Sequence, residues 1–216
     1  MPVSNYRRKY YDLFSGVYDK FVAFHSKDSQ ANVRQFFARV VPVQAGDRVL
    51  DICTGTGTLL AYLGKKVGKS GLVVGVDFSM GMLQVAKEKL ETFQNVHLIE
   101  SDAGYLPFKN SAFDAVTCSH AFYELKGETQ DRTLRSIVRV LKPGKPFLMM
   151  EHDIPESRFV RFLLYVRFFS MGAKRAITIL KHEKEMLQQY FRDVRKMETP
   201  TGRSKIWVCL NEDRSD

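Results

Sequence analysis

The stretch R-V-L-D-I-C-T-G-T-G-T-L-L, residues 48–60, decides the fold. Val49, Leu50 and Ile52 make a short branched apolar run that breaks at Gly55 and Gly57 and resumes at Leu59 and Leu60. That pattern reads as strand, tight turn and helix start, the build of a cofactor loop. Glycine lets the backbone come close to a bound molecule, and the first turn of the next helix offers N–H groups that have no partner inside the helix. A dinucleotide-binding loop would carry a third glycine at position 60, where Leu60 stands. The distinguishing residue comes earlier: Asp51, at the end of the strand, can accept a hydrogen bond from a cationic or amine-bearing ligand.

Working outward, V-V-G-V-D-F-S-M-G-M-L (73–83) predicts a second strand ending at Asp77, twenty residues past Gly57. A carboxylate there can accept from both hydroxyls of a ribose, and Ser79 can cap a helix over residues 80–92. V-H-L-I-E-S-D-A-G-Y-L-P-F (96–108) predicts a third strand ending at Ser101 and Asp102. Upstream, Val33, Phe36, Phe37 and Val40 mark one face of a helix over 29–40. G-K-S at 68–70 is a turn and not a phosphate loop, because Leu63 stands where the required glycine would be and a strand follows. Downstream, a helix over 131–141 stops at L-K-P-G, a fifth strand runs over 146–151, and 192–210 reads as two strands joined by a hairpin. Strands alternating with helices at this rhythm predict a doubly wound sheet with ligands at the carboxyl ends of the strands. Asp51, Asp77, Asp102, Ser119 and Glu151 stand at those ends.

D-I-C-T-G-T-G (51–57) resembles motif I of the class I S-adenosyl-L-methionine (SAM) dependent methyltransferases. Asp102-Ala103 and the run L-P-F-K-N-S-A-F-D-A-V-T-C-S (106–119) match the same family in the same order. Y-D-L-F-S-G-V-Y-D-K-F (11–21) resembles the opening segment of the branch that methylates ubiquinone and menaquinone precursors at carbon, with Tyr18-Asp19 aligned. The likeness covers about residues 11–151. It implies a Rossmann-like seven-stranded sheet, mostly parallel with an antiparallel C-terminal hairpin strand, SAM as cofactor and S-adenosyl-L-homocysteine as product. It further implies Asp77 on the ribose, Asp102 and Ala103 on the adenine, and the Gly55 to Gly57 backbone under the methionine part. Cys53, Thr54 and Thr56 in the loop, Phe78, Ser79 and Met82 after the second strand, Ser119 after the fourth, and Tyr18 complete the expected cofactor site.

Methyl transfer from a sulfonium is an in-line displacement, so the protein chiefly aligns donor and nucleophile and removes a proton where needed. His120, His152 and Glu151 are the candidate catalytic groups, with Tyr123, Glu124 and Asp153 beside them. His152 lies between two carboxylates that could fix its tautomer, and each histidine has the alternative of simple satisfaction by a backbone carbonyl. The quinone-methylating branch carries G-L-R-N where this chain has A-F-Y-E (121–124), and E-F-S-K-P where it has E-H-D-I-P (151–155). Glu151 and Pro155 match and the Arg-Asn pair does not, so the resemblance defines the cofactor more closely than the acceptor.

At 216 residues the chain suits one domain, expected over 1–216. Tyr6, Tyr10, Tyr11, Phe14, Tyr18, Phe21 and Phe24 form an aromatic stripe read either as core packing or, within 1–40, as a helical lid; 156–190 reads as a substrate-side helical insertion. No run has the roughly 18 uncharged apolar residues of a membrane span and M-P-V-S-N-Y-R-R-K-Y has no signal-like core, so a cytoplasmic protein is expected. Three widely spaced cysteines indicate neither a disulfide framework nor a zinc site, and no metal is expected. The net charge of +9 attracts polyanions. C-S-H-A-F-Y (118–123) lacks the N-P-P-Y-like turn of base-amino methylation and a Pro-Cys nucleophile, which disfavours nucleic acid. The acceptor is expected to be a small, lipid-like or quinone-like molecule, with contact to an anionic membrane face as the partner the apolar, basic-edged 156–181 suggests. A soluble small-molecule or phospholipid N- or O-methyltransferase is the alternative; a non-catalytic binding module is opposed by the intact loop acids.

Overall fold

A computed structural model describes residues 12, 15, 30–125, 127–154, 157, 158, 161, 162, 165, 166, 176–200 and 202–211. The whole aromatic stripe, Tyr18 included, lies outside the described residues, as does much of the insertion expected over 156–190.

Helix α1 (Gln30–Val40) leads into strand β1 (Arg48–Ile52), then helix α2 (Thr58–Val67), strand β2 (Leu72–Asp77), helix α3 (Met80–Lys89) and strand β3 (Val96–Glu100). A 3-10 turn (Ala103–Tyr105) precedes strand β4 (Ala115–Ser119), and a second (Phe122–Glu124) precedes helix α4 (Glu128–Val140). Strand β5 (Pro146–His152), short helices α5 (Ala176–Lys181) and α6 (Glu183–Leu187), and strands β6 (Asp193–Glu198) and β7 (Ser204–Leu210) complete the described elements.

The strands form one seven-stranded sheet in the order β3-β2-β1-β4-β5-β7-β6. All neighbours are parallel up to β5, and β7 pairs antiparallel with both β5 and β6. The central strands are buried on both faces, as parallel strands covered by crossover helices must be. Val49, Leu60, Leu63, Val73, Leu148 and Phe37 pack on one face, where α1 and α2 lie. Leu50, Ile52, Val116, Leu134, Ile137 and Phe147 pack on the other, beneath α4. The edge strands β3 and β6 alternate or stay exposed, which leaves their open sides polar.

Where the element boundaries differ from those expected, the caps explain it. Helix α4 starts at Glu128, not at residue 131, because Gly127 at φ 50° turns the chain and two acids, Glu128 and Asp131, complement the helix dipole in the first turn. Helix α3 stops at Lys89, where Leu90 leaves the helical region. Strand β3 ends at Glu100, and Asp102 caps the following 3-10 turn instead of extending the strand. Helix α1, which falls within the 1–40 stretch expected as a lid, buries Phe37 and Ala38 in the core, with Val41 buried just past its end.

Candidate active site

The strand order reverses between β1 and β4, and the crevice at such a point is where an open α/β sheet receives ligands. Cys53, just past β1, has φ 53°, and His120, just past β4, has φ 52°. Left-handed backbone at two non-glycine residues on adjacent strand ends is costly and concentrates at functional sites.

The loop after β1 is built around Asp51. Its Oδ2 accepts from Thr54 Oγ1 at 2.7 Å and its Oδ1 from Thr117 Oγ1 of β4 at 2.7 Å. The carboxylate is 1% exposed, and burial pushes it up to about 6 although the Thr117 and Thr54 hydroxyls pull the other way. Asp51 therefore ties the loop to both central strands. Gly55 and Gly57 adopt φ 54° and 73°, a region costly for L side chains. A Cβ on Gly57 would lie 2.9 Å from Leu90 Cδ1 and 3.0 Å from Ala86 Cβ, so this glycine lets α2 seat on α3. A Cβ on Gly55 would meet nothing within 4 Å; this backbone faces open space, as a ligand cradle should.

Asp77 closes the loop from β2. Its Oδ2 accepts Gly55 N–H at 2.8 Å and its Oδ1 accepts Ser79 N–H at 2.9 Å. Burial pushes this carboxyl up to about 6 against the Ser79 and Gly55 N–H bonds. Ser79, fully buried, caps α3 by accepting Met82 N–H, and Met82 is 3% exposed. Phe78 is half-buried between them. Thr54 and Thr56 are buried and Cys53 half-buried; the Cys118 thiol is pushed up, by its hydrogen bond with Cys53 and by burial. Ser101 N–H reaches Asp77 O at 3.0 Å, so the β3 exit abuts the β2 exit. There Asp102 Oδ1 accepts Gly104 N–H at 2.8 Å, while its Oδ2 is buried with no partner among the described residues. An orphaned buried acceptor beside buried Ala103 fits the exocyclic amino group of an adenine. The loop acids, the open glycine backbone and this acceptor together suit the expected cofactor.

The exits of β4 and β5 form the second half of the site. His120 N–H reaches Met150 O at 2.7 Å, its Nε2 lies 3.0 Å from Ser204 Oγ, and its ring centroid is 4.6 Å from that of His152. Tyr123 is 5.8 Å from His152 and packs with Leu180 of α5. Ser119 is half-buried at the rim. Glu151 is fully buried; its Oε1 accepts the N–H groups of Ala121 (3.1 Å) and Phe122 (2.7 Å), holding the turn that follows His120. Burial, then the charge of Glu183, pushes Glu151 well above the usual carboxylate range. Glu183 accepts from Trp207 Nε1 and pairs with Lys205 at 2.8 Å, a buried cluster behind the turn. Thr117, Ser204, Glu183 and Lys205 are absent from the sequence-derived site. Each meets its partner only across the sheet or from a distant element, so none left a local sign.

The structure thus gathers the loop residues, Asp51, Asp77 and Ser79 into one bonded group, sets Asp102 beside it, and places His120, His152 and Glu151 across the β1–β4 seam. Residues 4–197 match the model of the ubiE/COQ5 methyltransferase family. The chain is 32% identical over 188 residues to a demethylmenaquinone methyltransferase of Staphylococcus saprophyticus subsp. saprophyticus, covering 85% of this chain and 80% of that one. It is 33% identical to the demethylmenaquinone methyltransferase of Staphylococcus haemolyticus, over 81% and 73% of the two chains. Among solved structures, a SAM dependent methyltransferase from Aquifex aeolicus superposes with a TM-score of 0.64 at 18% identity, over 93% and 98%. Fold, site and relatives agree: the chain belongs to the ubiE/COQ5 methyltransferase family and is a SAM-dependent methyltransferase.

Proposed function

We propose that this methyltransferase acts on a ring carbon of a hydroxylated, quinone-like acceptor with a lipid-like tail. The observation that carries it is the cluster of His120, His152, Tyr123 and Ser204 at the β4, β5 and β7 side of the seam, next to the half assigned to the cofactor. The likeness to demethylmenaquinone methyltransferases supports it. Bound SAM supplies an electrophilic methyl group on a sulfonium. Asp77 takes the ribose hydroxyls, Asp102 Oδ2 the adenine amino group, Ala103 the ring edge, and the Gly55 to Gly57 backbone the methionine part. Asp51 fixes the loop through Thr54, and the buried acids would give this half of the site a negative potential suited to a cationic ligand in a chain that is otherwise basic.

A ring carbon next to a hydroxyl becomes a good nucleophile when that hydroxyl loses its proton; once that carbon is methylated, the hydrogen it carried returns as a proton to the ring oxygen and restores the aromatic ring. His120 and His152 are the groups to take it, and Ser204 orients His120 by engaging Nε2. Tyr123 stands where the resembled branch carries arginine, and offers a ring face to a planar acceptor. Glu151 holds this turn through Oε1, which accepts two backbone N–H groups. The N-terminal aromatic segment is read as a lid over the cofactor.

Among the described residues no helix is long and apolar enough to cross a membrane. Phe162 and Val166 are helical, four apart, and 61% and 49% exposed, with exposed Arg158 one turn earlier. An apolar face with a basic end suits the surface of an anionic bilayer, where such an acceptor resides.

The deciding experiment is mass spectrometry of the full-length protein incubated with SAM and a reduced demethylmenaquinone, with a catechol and phosphatidylethanolamine in parallel. A product one methylene heavier from the quinol is expected. His120→Asn should lower kcat at least about tenfold with unchanged S-adenosyl-L-homocysteine affinity. Turnover of the catechol or the phospholipid in its place would refute the acceptor.

A further inference from the structure

Asp12 lies far upstream of the cofactor loop, yet its carboxylate sits on the first turn of α3. Its Oδ1 accepts from Ser79 Oγ at 2.6 Å and from Gly81 N–H at 3.0 Å. Ser15, 8% exposed, donates its hydroxyl to Asp12 O at 2.9 Å and closes the local turn. The approach is close enough to restrict the chemistry of position 81. A Cβ there would lie 2.7 Å from Asp12 Cα, 2.8 Å from Asp12 O and 3.0 Å from Ser15 Oγ.

These contacts end on the cofactor acid. Ser79 accepts Met82 N–H, donates its hydroxyl to Asp12 Oδ1, and donates its backbone N–H to Asp77 Oδ1. Asp77 in turn holds Gly55 N–H. Two orphan donors of the α3 start are thereby satisfied, one of them by a carboxylate at the positive end of the helix dipole. Without Asp12 the Ser79 hydroxyl loses its acceptor and the turn that presents Asp77 loses one of its two anchors.

We propose that Asp12 is a positioning residue of the SAM site: through Ser79 it clamps the carboxylate of Asp77 in its ribose-accepting pose, and Gly81 is the small residue that admits it. The inference rests on the assignment of Asp77 to the ribose. Linkage is reciprocal, so bound cofactor strengthens the hold of Asp12 on α3 by the factor that Asp12 strengthens cofactor binding.

The test compares wild type with Asp12→Ala, Asp12→Asn, Gly81→Ala and Asp77→Ala in the full chain. S-adenosyl-L-homocysteine affinity is measured by calorimetry, and melting temperature with and without saturating ligand. Asp12→Ala and Gly81→Ala should each weaken affinity about tenfold, the loss expected for charge-assisted hydrogen bonds. Asp12→Asn, which keeps an oxygen for both donors, should stay within about threefold. Affinity within twofold of wild type in both Asp12→Ala and Gly81→Ala, where Asp77→Ala binds weakly, overturns the clamp and leaves the ribose assignment standing. Unchanged affinity in Asp77→Ala overturns the ribose assignment itself. If Asp12→Ala or Gly81→Ala melts earlier without ligand, the ligand-induced rise in melting temperature is the readout; a rise equal to that of wild type reduces Asp12 to a structural cap and overturns the proposal.

Discussion

At the scale of single residues, the cofactor half is organised by acids kept where ionisation is unfavourable. Asp51 and Asp77 are held up to about 6 by burial, above the roughly 3.9 of a solvated aspartate. Between those values the folded chain binds more protons than the unfolded one, so folding stability from these two groups is greatest at low pH. It falls as pH rises from about 4 through 6, by up to about 3 kcal/mol per group. Asp51→Asn removes one of these costs, so the ligand-free protein should melt higher than wild type at pH 7.5, and the difference should shrink by pH 4.5. Calorimetric scans across that range check both signs. Binding runs the other way. Ribose hydroxyls and a sulfonium favour the carboxylate, so SAM affinity should fall as pH drops through about 6, approaching tenfold per pH unit for each group. A flat binding profile from pH 5 to 8 would remove both acids from the site. Asp51, Asp77 and Asp102 were visible in the sequence because strand ends and glycines frame them locally. The distant partners were not: Thr117 is 66 positions from Asp51, and Ser204 is 84 from His120. Only the sheet register, Asp51 opposite Thr117 and His152 opposite Ser204, brings them together.

At the scale of elements, the strand–turn–helix unit was readable because hydrophobic periodicity and glycine fix it within a few residues. What Gly57 does was not readable. A cofactor-loop motif suggests close approach to a ligand, whereas the space at Gly57 is filled by Ala86 and Leu90 of the α3 end. Gly57→Ala would combine a left-handed backbone with overpacking against α3. It should cost about 2–4 kcal/mol of stability, read as a lowered urea midpoint at unchanged m-value. Gly55→Ala has the same backbone penalty and no clash, so it should be destabilised less and lose cofactor affinity more. Element ends were harder to place for a related reason. The start of α4 depends on the φ of Gly127, and the end of β3 on Asp102 turning back to Gly104 N–H; neither follows from composition.

For the whole molecule, the charge of +9 coexists with a site lined by buried acids. That contrast separates long-range attraction to an anionic surface from local selection of a cation. Sedimentation with anionic liposomes should carry the protein down at low salt and release it as salt rises, and Phe162→Asp with Arg158→Glu should abolish pelleting while leaving cofactor affinity unchanged. Equal sedimentation with neutral vesicles, or no effect of the double change, would leave a soluble enzyme with an exposed helix face. The division of the sheet at the β1–β4 seam has one more consequence. Asp51, Asp77 and Asp102 stand on or after β1, β2 and β3, while His120, His152 and Ser204 stand on or after β4, β5 and β7. On the roles proposed above, chain order largely coincides with chemical role, and a single genetic crossover between β3 and β4 would exchange most of the half proposed to face the acceptor. A lineage can inherit the donor half unaltered and draw new acceptors from the other, subject to one condition: the incoming β4 must bring a hydroxyl at the position of Thr117, or Asp51 is left with an unanswered oxygen.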